Sequence, residues 1–214
     1  MRQLNLLYII FDNRISRYKQ GNLKDTMSID NSLKSFQASN RQEWRNWLMK
    51  NHQQSQGVWL IYYKVKSKKP SIRYSEAVRE ALCFGWIDSK IKSLDEERYK
   101  QIFTPRRPKS VWSKLNKQYV RELIQRGLMT EAGFKAIEIA KQNGSWTALD
   151  AVEALIIPDD LQRAFLQHKT AAINFEKLSN SKKKNILYSI SSAKRPQTRV
   201  KRIQQAIDSL ANHF

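Results

Sequence analysis

The chain has a single cysteine, Cys83, in 214 residues. One thiol excludes an internal disulfide and any thiol-rich metal site, and fits a reducing, cytoplasmic setting. No apolar run approaches the ~20 residues that a membrane-spanning helix requires. The stretch Leu4 to Phe11 is apolar and follows Arg2, but Asp12, Arg14 and Arg17 come next and no small-residue cleavage site appears, so it does not read as a secretory leader. Phosphate-binding glycine loops, HExxH and paired-cysteine metal spacings are all missing, as is any internal repeat. The three histidines, His52, His168 and His213, lie far apart with no motif around them. Neither a cofactor nor a metal is expected. Acids are also scarce: 19 Asp and Glu face 39 Lys and Arg, a formal net charge of +20. Such a field attracts phosphates, nucleic acids and anionic surfaces; the other reading of it is a solvated cationic surface with no dedicated partner.

At 214 residues the chain can bury one good core, with room for a second small lobe. Asn40 followed by Glu43 reads as a helix start, and Trp44, Trp47 and Leu48 fall on one face of that helix, which runs to about His52. Residues 58–65 are apolar at nearly every position, as in a central strand covered on both faces. Ser75 is a cap candidate for a helix that buries Ala77, Val78, Ala81 and Leu82, and Gly85 stops it. From Trp86 the period becomes two. Ile87, Ser89 and Ile91 are expected on one side and Asp88, Lys90 and Lys92 on the other, with Tyr99, Gln101 and Phe103 returning after a Leu-Asp-Glu-Glu turn. Beyond Pro105 and Pro108 the pattern is helical. Ser110, Thr130, Thr170 and Ser181 are cap candidates, Pro158 and Pro196 suit first turns, and Val200, Ile203, Ile207 and Leu210 form a last apolar stripe. The expected fold is α+β: a small antiparallel sheet flanked by helices, then a mostly helical C-terminal part. The expected divisions are an N-terminal extension at 1–27, either disordered or upstream of a natural start at Met27; a core at 28–127; and a basic helical region at 128–214.

The strongest chemical signal is the loop Phe-Thr-Pro-Arg-Arg-Pro-Lys-Ser-Val-Trp-Ser from Phe103 to Ser113. Its prolines hold the backbone extended, so Arg106, Arg107 and Lys109 lose little freedom on binding. Ser110 and Ser113 sit where a helix start is expected, and free backbone N–H groups there favour an anion. Guanidinium forks match phosphate and carboxylate oxygens. Trp86 and Asp88 are expected in the same cleft, and Trp112 is expected in the core. The competing reading is a structural loop whose arginines satisfy nearby carbonyls and carboxylates. A second basic region comprises Lys182, Lys183, Lys184, Lys194, Arg195, Arg199, Lys201 and Arg202. It suits nonspecific contact with a nucleic-acid backbone, although no zinc-finger or RNA-recognition sequence accompanies it. A third reading is an enzyme using Asp88 or Cys83. Cys83 lies on an apolar stretch, where a buried structural thiol is expected, and Asp88 is expected to pair with Arg106 or Arg107.

Blocks spread along the chain resemble the YdeI/OmpD-associated family, also labelled bacteriocin-protection proteins. They include Gly57-Val58-Trp59-Leu60, Cys83-Phe84-Gly85-Trp86-Ile87-Asp88, Thr104-Pro105-Arg106-Arg107, Ser110 to Asn116, Gly144-Ser145-Trp146 and Ala193-Lys194-Arg195-Pro196. The resemblance runs from Phe36 to Leu210 and leaves residues 1–27 outside. Ser89 stands where the family pattern has Gly. By its labels the resemblance implies a link to an outer-membrane porin and to survival of peptide antibiotics; it brings no catalytic residues with it. A protein at +20 repels cationic peptides at long range, so the role expected is indirect: a non-enzymatic binding protein for an anionic small molecule or a phosphate-containing partner.

Overall fold

A computed structural model describes residues 32–212 of the chain; the expected extension at 1–27 lies outside the described residues. These residues form two compact units. The first comprises the described residues up to Ser110 together with Leu115–Trp146, and the second comprises Val111–Lys114 and the chain from Thr147 onward.

The first unit is built on a four-stranded sheet in the order β1 (Ser35–Gln37), β2 (Val58–Tyr63), β4 (Arg98–Pro105), β3 (Trp86–Ser93). The apolar run therefore forms an interior strand, as expected. β2 and β4 are antiparallel, with Leu60 opposite Gln101, and β3 and β4 make the expected hairpin. The sheet is mixed rather than wholly antiparallel, because β1 runs parallel to β2. The register of the hairpin shifts between Asp88 and Ile91. An irregularity of this kind redirects the side chains around it, and Asp88 is buried instead of sharing an exposed face with Lys90 and Lys92.

Helix α1 (Arg41–Asn51) begins as its sequence requires. The Asn40 side chain accepts from the Glu43 backbone N–H at 3.0 Å, and the Glu43 carboxylate accepts from Ser39 N at 2.8 Å. Its buried Trp44 donates Nε1–H to the carbonyl of Ala77 at 3.0 Å, which ties α1 to α2 (Tyr74–Cys83). Trp44, Trp47, Phe36 and Phe103 form one aromatic cluster with ring centroids 5.2–6.2 Å apart. The start of α2 differs from expectation. Ser75 lies inside the first turn, and Glu76 accepts from Arg73 N at 3.0 Å to close the end. Helices α3 (Lys114–Gln125) and α4 (Glu131–Gln142) follow. Ser110 does not cap α3. Arg107 to Ser110 form a turn with Pro108 in its second position, closed by Ser110 N donating to Arg107 O at 2.9 Å, and helix begins only at Lys114.

The second unit contains α5 (Asp150–Glu153), α6 (Asp159–Gln167), α7 (Lys169–Lys177), α8 (Asn180–Ser191) and α9 (Pro196–Asn212). Leu161, Phe165, Phe175, Leu187, Ile190, Ile207 and Leu210 belong to its core. Pro196 occupies the first helical position, as expected. Ser179, not Ser181, caps α8, and Thr170 lies within α7. Val200 is exposed, so the apolar stripe of α9 is narrower than its sequence suggested. Asn174 is buried and donates Nδ2–H to the carbonyl of Leu210 at 2.9 Å, fixing α7 to α9.

Candidate functional site

The first unit holds a cleft of about 250 Å³. Arg106, Arg107, Pro105 and Pro108 line it from the loop after β4, Phe84, Gly85 and Trp86 from the α2–β3 junction, His52 and Gln53 from the end of α1, and Ala132, Lys135, Ala136 and Ile139 from one face of α4. The spacing of the last four is one helical stripe.

Local hydrogen bonds hold these elements in place. Arg106 N donates to Gly85 O at 2.9 Å, so the start of the arginine loop is a backbone neighbour of the α2–β3 turn. Trp86 Nε1–H donates to the carbonyl of His52 at 3.2 Å. His52 Nδ1 lies 2.9 Å from Leu48 O, which orients the ring and places its centroid 5.1 Å from that of Phe84. The carbonyl of Pro108 accepts from Asn143 Nδ2 at 2.8 Å and from Ser145 Oγ at 3.2 Å, pinning the far end of the loop just beyond α4. Gly85 has φ +70°, and a Cβ there would lie 2.8 Å from the carbonyl of Ala132, so only glycine lets α4 come this close.

Arg107 is exposed and Arg106 half-buried. Among the described residues, no ion pair engages Arg107 or Lys135. The cleft lining therefore combines apolar side chains with cationic ones. Of the residues singled out in the sequence, it brings together Arg106, Arg107 and Trp86. Lys109 and Ser110 are not among its lining residues. Ser113 belongs to the segment that groups with the second unit, as does Trp112, which is buried.

Asp88 is buried outside the lining. It accepts from Tyr74 Oη–H at 2.9 Å and from Gln101 Nε2–H at 2.7 Å. Burial raises its pKa above the usual carboxylate range, opposed by the hydrogen bond from Tyr74 and by the charge of Arg106 among others. A carboxyl group whose pKa is higher in the folded than in the unfolded chain stabilises the fold below its unfolded pKa, and that contribution is lost as pH rises through the folded value. In Asp88→Asn the dependence vanishes. The melting temperature of the parent minus that of the variant should be larger at pH below the unfolded carboxylate value of about 3.9 than at neutral pH; an equal difference at both would show that Asp88 does not titrate differently on folding.

Cys83 is buried, and its thiol is pushed up to about 11, chiefly by burial and then by the charge of Glu80. Such a thiol holds almost no thiolate at neutral pH. Among the described residues no group of three or more His, Cys, Asp or Glu side chains is placed to hold a metal ion, and no helix is long and apolar enough to cross a membrane.

The second basic region is partly spent on the fold. Lys183 pairs with Glu176 at 2.5 Å, Lys184 with Glu153 at 2.6 Å, and Arg199 grips Asp160 at 2.5 and 2.9 Å. Arg202 Nη1 donates to Ser189 O at 2.5 Å and Ser192 Oγ at 3.1 Å. Lys182, Lys194, Arg195 and Lys201 are exposed.

His52, Gln53 and Lys135 were not singled out by their sequence as site residues. The available signal was the row Ala132, Lys135, Ala136 and Ile139, a lysine set in a small-residue stripe on a helix whose other face carries the buried Gly133, Ile137 and Ala140.

Residues 154–213 match the family model described as bacteriocin-protection, YdeI or OmpD-associated. The C-terminal part of this chain is similar to that family. The match falls within the second unit, and helices α6 to α9 with the core residues they carry lie inside it. Residues 36–136 match a second model, a domain of unknown function (DUF8412), which takes in most of the first unit and every residue lining the cleft except Ile139. No curated protein and no solved structure matches the chain.

Proposed function

We propose that this chain, whose C-terminal part is similar to the YdeI/OmpD-associated family, is a non-enzymatic binding protein for a small anionic ligand or phosphate-bearing partner, held in the cleft of the first unit by Arg106 and Arg107. The observation that carries this reading is that two arginines and Lys135 line the same cleft as Phe84, Trp86, Ala136 and Ile139. Guanidinium groups pair with oxyanions in forked geometry, and a partly enclosed site strengthens each charge-assisted hydrogen bond relative to water. The proline on either side of the arginine pair, Pro105 and Pro108, reduces the entropy lost on binding. Lys109 and Ser110 lie on the turn next to the rim and belong to the electrostatic surround rather than to the floor. A role in bacteriocin or antimicrobial-peptide stress is read as indirect, through this ligand, because the net charge of +20 opposes capture of cationic peptides.

The test is titration calorimetry with inorganic phosphate, nucleotides, sugar phosphates and short nucleic acids, on the parent and on Arg106→Gln/Arg107→Gln. At least one probe should bind the parent, and the double variant should bind it about 10- to 100-fold more weakly, the scale of lost charged hydrogen bonds, with an unchanged circular dichroism spectrum. Absence of binding by the parent, or equal binding by both proteins, overturns the reading. Binding confined to nucleic acids, with a steep salt dependence and no loss in the double variant, would instead favour the exposed C-terminal lysines and arginines.

A further inference from the structure

The identity of the residues below the rim narrows the ligand class, an inference that rests on the anion-binding reading above. Arg106, Arg107 and Lys135 supply the charge of the cleft lining, His52 and Gln53 add polar groups, and most of the rest is carbon: Phe84, Trp86, Ala132, Ala136 and Ile139 together with the two prolines. Phe84 and Trp86 are buried aromatic residues, Trp86 tied to the carbonyl of His52 and Phe84 packed beside the His52 ring, so this wall is preformed. A bare oxyanion satisfies the arginines and leaves that carbon surface wet. A polymer backbone presents charge at every step and suits an open basic stripe better than a cleft of about 250 Å³. That volume exceeds what an inorganic phosphate needs and leaves room for a compact organic body. Small-molecule sites of this type combine an apolar lining with a few polar groups that orient the ligand.

We propose that the cleft takes a small amphiphilic oxyanion, a phosphate monoester or carboxylate joined to one compact apolar or aromatic body, with its charged end between Arg106 and Arg107 and its body against Phe84, Ala132, Ala136 and Ile139. Gly85 contributes by omission: with no side chain at this position, α4 and its carbon stripe close against the α2–β3 turn.

Phenyl phosphate and inorganic phosphate are the probes, titrated into the full chain and three variants. In the parent, phenyl phosphate should bind at least ~10-fold more tightly than phosphate, the scale expected for removing a ring from water. Ala132→Leu, which fills the floor with a good helix former, and Ile139→Ser, which makes it polar, should each remove most of this advantage while leaving phosphate binding within about twofold. Arg106→Gln/Arg107→Gln should weaken both probes. Equal affinity for the two probes, both lost in the arginine variant, overturns the amphiphile assignment and leaves anion binding standing. Tighter binding of phenyl phosphate that neither floor variant alters also overturns it, since the ring would then lie elsewhere. No binding of either probe by the parent counts against both proposals.

Discussion

Replacing Glu80 by alanine is expected to destabilise the protein by about 3–5 kcal/mol, the range for removing one partner of a buried ion pair. Glu80 is wholly inaccessible to solvent, and its carboxylate takes Arg41 on one oxygen and Arg45 Nη1, at 2.6 Å, on the other. Arg45 cannot simply turn to water. Arg45 also donates to Leu128 O at 3.0 Å and lies 5.4 Å from the centre of the Phe84 ring, so its guanidinium is held by the α3–α4 connection and by the cleft floor at once. Removing the carboxylate leaves a guanidinium only 21% exposed, with like charge beside it. Glu80→Gln keeps one acceptor and should cost less than the alanine variant. The control is Glu97→Gln: Lys69 and Glu97 are each about half exposed, 50% and 49%, and an ion pair in that setting contributes at most about 1 kcal/mol. Urea unfolding followed by tryptophan fluorescence measures all three. A cost below about 1 kcal/mol for Glu80→Ala would mean that the site relaxes to admit water.

Features encoded within a few residues were readable from the sequence, and those made by distant residues were not. Asn40 and Glu43 announce the start of α1 because a cap and its partner lie within one turn. The hairpin of β3 and β4 announces itself by alternation on either side of an acidic turn. β1 has only three residues, too few to show a period, and is a strand only because β2 offers a parallel edge to it. The burial of Asp88 depends on a register shift that no alternation pattern contains. The burial of Glu80 has no local signal because its partners Arg41 and Arg45 come 39 and 35 residues earlier. The cleft divides in the same way. Arg106, Arg107 and Trp86 stood out by local composition, whereas His52 and Lys135 arrive from α1 and α4 through packing alone.

Gly133 is the other position where one atom should matter most, because its neighbour is backbone. Glycine in a helix interior is normally a liability of about 1 kcal/mol relative to alanine, so Gly133→Ala in α4 would ordinarily stabilise. Here the added Cβ would lie 2.4 Å from the carbonyl oxygen of Cys83 and 2.6 Å from Met129 Cε. The methionine end can swing away. The carbonyl cannot, because it closes the end of α2 and accepts from both Thr130 N, at 3.2 Å, and Thr130 Oγ1, at 2.6 Å. Relief requires α4 to move off α2, breaking those bonds and withdrawing Ala132, Ala136 and Ile139 from the cleft. We expect Gly133→Ala to destabilise by about 3 kcal/mol, at the upper end of overpacking costs, and to weaken any ligand of the cleft at temperatures where the protein remains folded. Gly144→Ala is the comparison: at φ +77° it is strained, but its Cβ would meet open space, so it should lose about 1 kcal/mol and leave binding unchanged. If Gly133→Ala instead melts at or above the parent temperature, the contact between α2 and α4 is more compliant than its geometry implies, and the closeness of α4 to Gly85 is not what holds the cleft open to ligand.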